Sequence, residues 1–296
     1  MTAPGLAVAA LLAGFCAAAG SPQPVPDTGA VIAGQTEPGG WPKKGEDRAT
    51  IDNGATTREM RLLARAVAGG GGRACRDSFL KGLDWLLKAQ YLSGGWPQIF
   101  PLAGKYHDRI TFNDDAMVNV LELLRDIARG EDEFAFVDAR RRAACAGAVR
   151  RGVDCVLRCQ VVVGGTKTVW CQQHDERDFG PRPGRAFEPI ALASAESVKV
   201  VRFLMGEPFS PEVAAAIELA CAWLEKARLP DGRWARLYEI ATGRPVFCGR
   251  DSVVKYRVED IEEERQKGYS WFTDRPARLL AKDLAKWRKR GTARGG

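Results

Sequence analysis

Apolar residues recur at helical spacing through most of this chain. Met60, Leu63, Ala64 and Val67 form one stripe, and Phe79, Leu83, Leu86 and Leu87 a second. Met117, Val120, Leu121, Leu124, Ile127 and Ala128 form a third, and Val213, Ile217, Ala220, Trp223 and Leu224 a fourth. A period near 3.6 residues turns one face of each segment to a core and leaves the other to water. The stripes predict helices over residues 57–67, 75–90, 115–128, 137–159, 194–205, 211–227, 259–267 and 276–287. Strand signals are scarce: one short hairpin is expected, 161–163 meeting 168–170 across Gly164-Gly165. The loops between alternate helices are long and rich in Gly, Pro, Trp and Arg, the mark of functional loops in a compact domain. Helices paired by such loops predict an all-α fold, a toroid or barrel with little β structure.

The loops echo one another. Gly39-Gly40-Trp41-Pro42 leads through Thr50-Ile51-Asp52-Asn53-Gly54-Ala55-Thr56-Thr57 into the first stripe. Gly94-Gly95-Trp96-Pro97 leads through Ile110-Thr111-Phe112-Asn113-Asp114-Asp115 into the third. Weaker copies follow Gln160, with Gly164-Gly165 and then Trp170, and Lys226, with Asp231-Gly232 and then Trp234. Glycine ends many helices; the recurring tryptophan marks a repeated unit. Copies of one unit present equivalent loops on one face, so Asp52 and Asp114 are expected at the same end of the molecule. Asn113 reads as a helix N-cap, with Asp114 and Asp115 in the first turn, where free N–H groups and the helix dipole favour anions.

With 296 residues and 45% hydrophobic content, the chain can bury a full core as one domain. Its 44 basic and 37 acidic residues leave a formal charge of +7, which suits an anionic partner. The basic residues are scattered and no nucleic-acid motif appears, so nucleic acid is not the expected partner. Residues 1–20 carry an apolar, alanine-rich run that reads as a signal peptide, followed by a Pro/Gly-rich lead over 21–32 and a catalytic domain over 33–296. No other stretch is long enough to cross a bilayer, and a secreted or periplasmic location follows. Eight cysteines include Cys16 in the signal; the remaining seven, at irregular spacing, do not make a disulfide framework and read mostly as small buried residues.

Chemistry concentrates in a few places. Asp52, Asn53, Asp114 and Asp115 form a histidine-free oxygen set of the kind that binds hard cations, calcium above all. Helix caps and surface ion pairs explain the same residues more blandly. Arg185, Arg236 and Arg250, the last with Lys255 and Tyr256 beyond it, stand in Gly/Pro-rich loops beside aromatics. A guanidinium fork there pairs bidentately with carboxylate or phosphate. With loop tryptophans such as Trp96 to stack on sugar faces, the set points to an acidic sugar polymer. With only two histidines, His107 and His174, a histidine-based metal or triad site is disfavoured. His174, beside Asp175 and Glu176, reads either as a substrate contact or as a structural hydrogen-bonding group.

Taken together the segments resemble the polysaccharide lyase family 10 pectate lyases. The resemblance rests on Gly-Gly-Trp-Pro-Lys at 39–43, Ile-Asp-Asn-Gly-Ala-Thr-Thr at 51–57 and Gly-Gly-Trp-Pro-Gln at 94–98. It continues through Ile-Thr-Phe-Asn-Asp-Asp-Ala-Met-Val-Asn at 110–119, Val-Trp-Cys-Gln-Gln-His-Asp at 169–175 and Arg-Ala-Phe-Glu-Pro at 185–189. Ala-Glu-Ser-Val at 195–198, Trp-Ala-Arg-Leu-Tyr-Glu at 234–239 and Gly-Arg-Asp-Ser-Val-Val-Lys-Tyr at 249–256 complete it. The resemblance implies an (α/α)3 toroid and calcium-assisted β-elimination of α-1,4-polygalacturonate by a monomer, with neither nucleic acid nor membrane as partner. It assigns Asp52 and Asp114, with Asp115 beside them, to calcium, and Arg185 to catalysis as the base. Arg236 and Arg250 become substrate-binding arginines, with Asn53, Lys255, Trp96 and His174 as further substrate contacts. An arginine base is demanding, since its pKa lies above about 12; Lys255 is the fallback.

Two departures accompany the resemblance. The helix that normally precedes the first Gly-Gly-Trp-Pro-Lys is shortened, and so is the segment between Lys226 and Trp234. An inverting glycoside hydrolase using Asp114 with Asp52 or Asp175 is the rival enzyme. A non-catalytic polygalacturonate-binding homologue is the rival outside enzymology.

Overall fold

The computed structural model describes residues 27–130 and 132–292. Helices α2 Thr57–Ala68, α3 Arg73–Ala89, α4 Ala116–Arg129, α5 Ala139–Cys159, α6 Ser194–Leu204 and α7 Pro211–Lys226 form where the stripes predict them, after an unexpected α1 Thr28–Ala33. They are followed by α8 Glu263–Gly268, and by α9 Arg275–Arg278, which a π turn over Leu279–Asp283 joins to α10 Leu284–Thr292. Asp138 and Ser210 cap α5 and α7 by accepting from the N–H groups of Arg141 and Val213. The region expected as one helix over 259–267 is shorter, a single turn at Val258–Asp260 and then α8. Residues 28–32 of the expected irregular lead belong to α1, capped by Asp27. The expected signal peptide, 1–20, lies outside the described residues.

Two rings of helices result. α2, α4, α6 and α9 pack side by side as the inner ring, and α1, α3, α5 and α7 as the outer one, with α2 on α3, α4 on α5 and α6 on α7. Burial separates the rings: nearly every residue of α6 is buried, whereas α5, at 21 residues, buries one stripe led by Cys145, Val149, Gly152 and Val156. This is the all-α toroid expected. Strands are two residues long and sit in the loops. Val162–Val163 pairs with Thr166–Lys167 across the predicted glycine turn. The seven described cysteines are buried and unpaired.

The loops are unequal. Residues 69–72, 130–138 and 205–210 join helices briefly at one end of the toroid. Residues 34–56, 90–115, 160–193 and 227–274 run from the C-terminus of an outer helix to the N-terminus of an inner one, at the other end.

The repeated glycines and tryptophans build this frame. The indole N–H groups of Trp41, Trp96, Trp170 and Trp234 donate to the carbonyls of Val31, Leu86, Val156 and Leu224, at 2.6–2.8 Å. Each acceptor lies in the last turn of α1, α3, α5 or α7, where carbonyls have no partner within the helix. Gln35, Gln90 and Gln160 each bond a carbonyl of their own loop and one of the next outer helix, at Ser78, Ala148 and Ala216. Gly94, at φ +95°, brings its Cα so near the carbonyl of Arg151 in α5 that a Cβ would stand 2.1 Å from the oxygen. Gly39, at φ +123°, makes the same approach to Lys81 in α3.

Candidate active site

The long loops bring their acidic turns to the inner helices' N-termini. Asp52-Asn53-Gly54 precedes α2, Asn113-Asp114-Asp115 precedes α4, and the two turns pack against each other. Both contain a left-handed doublet: φ is 50° at Asn53 and 75° at Gly54, and 50° at Asp114 and 63° at Asp115. The register of the repeat therefore sets Asn53 opposite Asp114 and Asp52 opposite Asn113, so Asp52 and Asp114 share an end of the toroid without being equivalent. Left-handed backbone at residues other than glycine carries strain of order 1–3 kcal/mol and clusters at functional sites.

Neighbouring loops hold the second turn in place. Ile110–Thr111 pairs with Gln173–His174, and the N–H groups of Phe112 and Asn113 both donate to the carbonyl of Gln172. Gln172 Nε2 lies 3.0 Å from Asn113 Oδ1, 2.9 Å from Glu196 Oε1 and 3.0 Å from the Tyr269 hydroxyl. Glu196, in the first turn of α6, is buried and paired with Arg236. Arg236 also reaches Asp114 Oδ1 and Asn113 Oδ1, each at 3.2 Å, and stacks 4.4 Å from the Tyr269 ring centre. Burial opposes its charge, but Glu196, Tyr269 and Asp114 prevail and hold the guanidinium well above its usual pKa. The Asp114 pKa is raised as well: burial lifts its carboxyl, Arg236 resists, and Glu196 and Asp52 add to the rise.

Arg185 lies within electrostatic reach of Tyr269 and Tyr106. Its guanidinium pairs with the buried Glu188 and lies 4.7 Å from the Phe187 ring, which packs edge-on against Tyr269 at 5.4 Å. The bond to Glu188 raises the arginine's pKa against the effect of burial. Tyr106 lies within electrostatic reach of Arg185, Glu188, Asp52 and Lys43, and so joins the two halves of the mouth. Lys43, from the first Gly-Gly-Trp-Pro-Lys, places its ammonium 2.7 Å from Asp52 Oδ2 and 3.2 Å from Glu46.

Four expected residues thus meet at one mouth: Asp52, Asp114, Arg185 and Arg236. Asn53, exposed beside Asp52, borders it. Asp115 has its Oδ2 held 2.6 Å from Arg275 of α9, while its Oδ1 is buried with no hydrogen-bond partner. Arg250 bonds Glu264 and Lys255 bonds Asp251 on an exposed hairpin, and neither pairs with the Asp114 cluster, so Lys255 is not poised as a base. Trp96 is fully buried under α3, its indole committed to Leu86. His174 is likewise fully buried; Nε2 accepts from the Cys171 N–H and Nδ1 meets the Phe179 carbonyl. Both are framework, not substrate contacts. Glu196, Glu188, Lys43 and Gln172 lie inside quoted motifs, where a polar or charged side chain was the signal for them; Tyr269 and Tyr106 gave none.

The donors at the mouth suit a hard cation. They are all oxygen, and Asp52 Oδ1 is buried with no hydrogen-bond partner. Among the described residues no three His, Cys, Asp or Glu groups converge on one point. A cation at this mouth would draw on the aspartate oxygens, with the rest of its shell left to water and ligand.

An α/α toroid that sets two aspartates beside a part-buried and an exposed arginine fits a polysaccharide lyase, and the comparisons show that class. The chain matches solved structures of a family 10 polysaccharide lyase from Cellvibrio cellulosa, one of them a mutant in complex with trigalacturonic acid. Each is 31% identical with a TM-score of 0.83; the match covers 88% of this chain and 91% and 90% of theirs. The family described as pectic acid lyase matches residues 25–233 and 230–280, and the chain belongs to it. No curated protein matches.

Proposed function

We propose that this protein is a calcium-dependent pectate lyase that cleaves α-1,4-polygalacturonate by β-elimination and releases unsaturated oligogalacturonides. One observation carries the reading: Asp52 and Asp114 share a mouth with the guanidinium of Arg236, and Arg185 lies within electrostatic reach of Tyr106 and Tyr269. The trigalacturonic acid bound by the Cellvibrio relative supports the substrate class.

The C5 proton of a galacturonate lies α to a carboxylate, and its removal loads that carboxylate with further negative charge. Arg236 pairs with the carboxylate and stabilises the charge as it develops. Asp52 and Asp114 would hold calcium, which when bound would supply a second positive charge near the substrate carboxylate. Arg185 takes the C5 proton. It does so only after the substrate separates it from Glu188, because that pair keeps it protonated. The C5–H electron pair becomes the C4–C5 double bond, the C4–O bond breaks, and the leaving oxygen takes a proton from water. The inner helices' N-termini at this end add a field that favours the polyanion.

The test is polygalacturonate with calcium, read by the ultraviolet absorbance of the conjugated product. A chelator is expected to abolish the signal, and Arg185→Ala or Asp114→Ala to lower turnover about a hundredfold or more. A saturated product that forms despite the chelator would transfer the site to an inverting hydrolase. Tight binding without product would make the protein a pectate-binding homologue.

A further inference from the structure

A cleft of about 490 Å³ opens on the rim at the same end of the toroid as the mouth. Its walls are the C-terminal half of α7, the Val162–Val163 and Thr166–Lys167 hairpin, and the turn over residues 240–243. Val163, Leu219, Trp223 and Ile240 make one side apolar, while Lys167 and Lys226 bring two ammonium groups and no carboxylate lines it. Lys226 is exposed and makes no hydrogen bond or ion pair among the described residues; Lys167 spends one donor on the Leu157 carbonyl at 3.2 Å. Trp223 is part-exposed and fixed edge-on against Tyr238 at 5.2 Å, so its orientation is set before any ligand arrives.

From these features we infer that the cleft is a second binding site for uronate residues of the polymer, separate from the catalytic mouth. A sugar ring offers an apolar C–H face to an aromatic ring, and a uronate adds one negative charge per residue for a lysine. An apolar wall carrying an oriented tryptophan and two lysines, with no competing carboxylate, complements both features. The cleft is also within reach of the mouth: Ile240 follows Arg236 by four residues, so their Cα atoms lie within about 14 Å. A chain held at Arg236 and in the cleft binds twice, and the second contact raises affinity for the polymer without changing the chemistry. The inference rests on the proposed substrate class.

Lys167→Glu combined with Lys226→Glu tests it, with Lys282→Glu and Lys286→Glu on the π turn and α10 as a charge-matched control. The rim variant is expected to raise KM for polygalacturonate about fivefold to tenfold while turnover of trigalacturonate stays unchanged. In gels containing polygalacturonate, run with excess trigalacturonate to fill the mouth, the rim variant is expected to migrate faster than wild type. Equal losses in the control, equal losses on the trimer, or an unchanged polymer KM would each overturn the inference. Should wild type release no unsaturated product, the lyase reading fails, and the gel alone decides the cleft. There, unretarded wild type overturns the proposal, and retardation that only the rim variant loses supports it.

Discussion

Lys43 holds Asp52 Oδ2, and a divalent ion that used both oxygens of that carboxylate would displace it. Its ammonium has a second acceptor waiting in Glu46, 3.2 Å away. Burial works against the charge on Lys43, but the bonds and charges of Asp52 and Glu46 together outweigh it. Lys43→Met is therefore expected to tighten calcium binding about tenfold, equivalent to 1.4 kcal/mol, in a calorimetric titration without substrate. Glu46→Gln, which strands the displaced lysine, is expected to weaken it. Weaker binding in Lys43→Met would show that the lysine supports the cation site instead of competing for it. Individual side chains were unevenly legible in the sequence. Asp52, Asp114, Arg185 and Arg236 stood out because charged residues in glycine-rich loops are chemically conspicuous. His174 and Trp96 stand in similar loops, yet their ring nitrogens are used up on backbone groups. Local sequence does not say whether a loop side chain turns inward.

At the level of helices and loops the chain was easier to interpret, since amphipathic periodicity is set locally and tertiary packing only confirms it. Helix ends fell within a few residues of expectation, apart from the region around α8, whose short turns carry little apolar pattern. The four tryptophans were conspicuous, but their purpose was hidden: each closes the end of an outer helix, a contact between residues about ten positions apart that a motif does not reveal. Trp96→Phe keeps the ring and removes the indole donor. Urea unfolding should record a loss of about 1 kcal/mol with pectate turnover per folded molecule unchanged. Trp96→Ala should lose about 3–5 kcal/mol through the cavity it leaves. A Trp96→Phe variant of full stability but impaired sugar binding would return Trp96 to the substrate.

For the molecule as a whole, stability depends on pH through its most deeply buried imidazole. Burial depresses the pKa of His174 to about 4, against the bond to the Phe179 carbonyl that favours its charge. The unfolded chain takes up a proton near pH 6.5 that the native one refuses. Stability from this group is thus complete above pH 6.5 and falls as the pH drops from there to about 4, by an amount of order 3 kcal/mol. Thermal unfolding of wild type and His174→Gln across that range should show the wild-type melting temperature falling more steeply. Parallel curves would mean that other groups govern acid unfolding. Among the described residues no helix is long and apolar enough to cross a membrane.

The offset between the two acidic turns has a consequence for a ligand with unlike ends. A galacturonan has a reducing and a non-reducing terminus, and an opening built from two matched copies would accept it in either sense. Here the copies are mismatched by one position, Asp52 corresponding to Asn113 and Asn53 to Asp114. The opening has a left and a right, and a polymer lying across it is expected to bind in one direction.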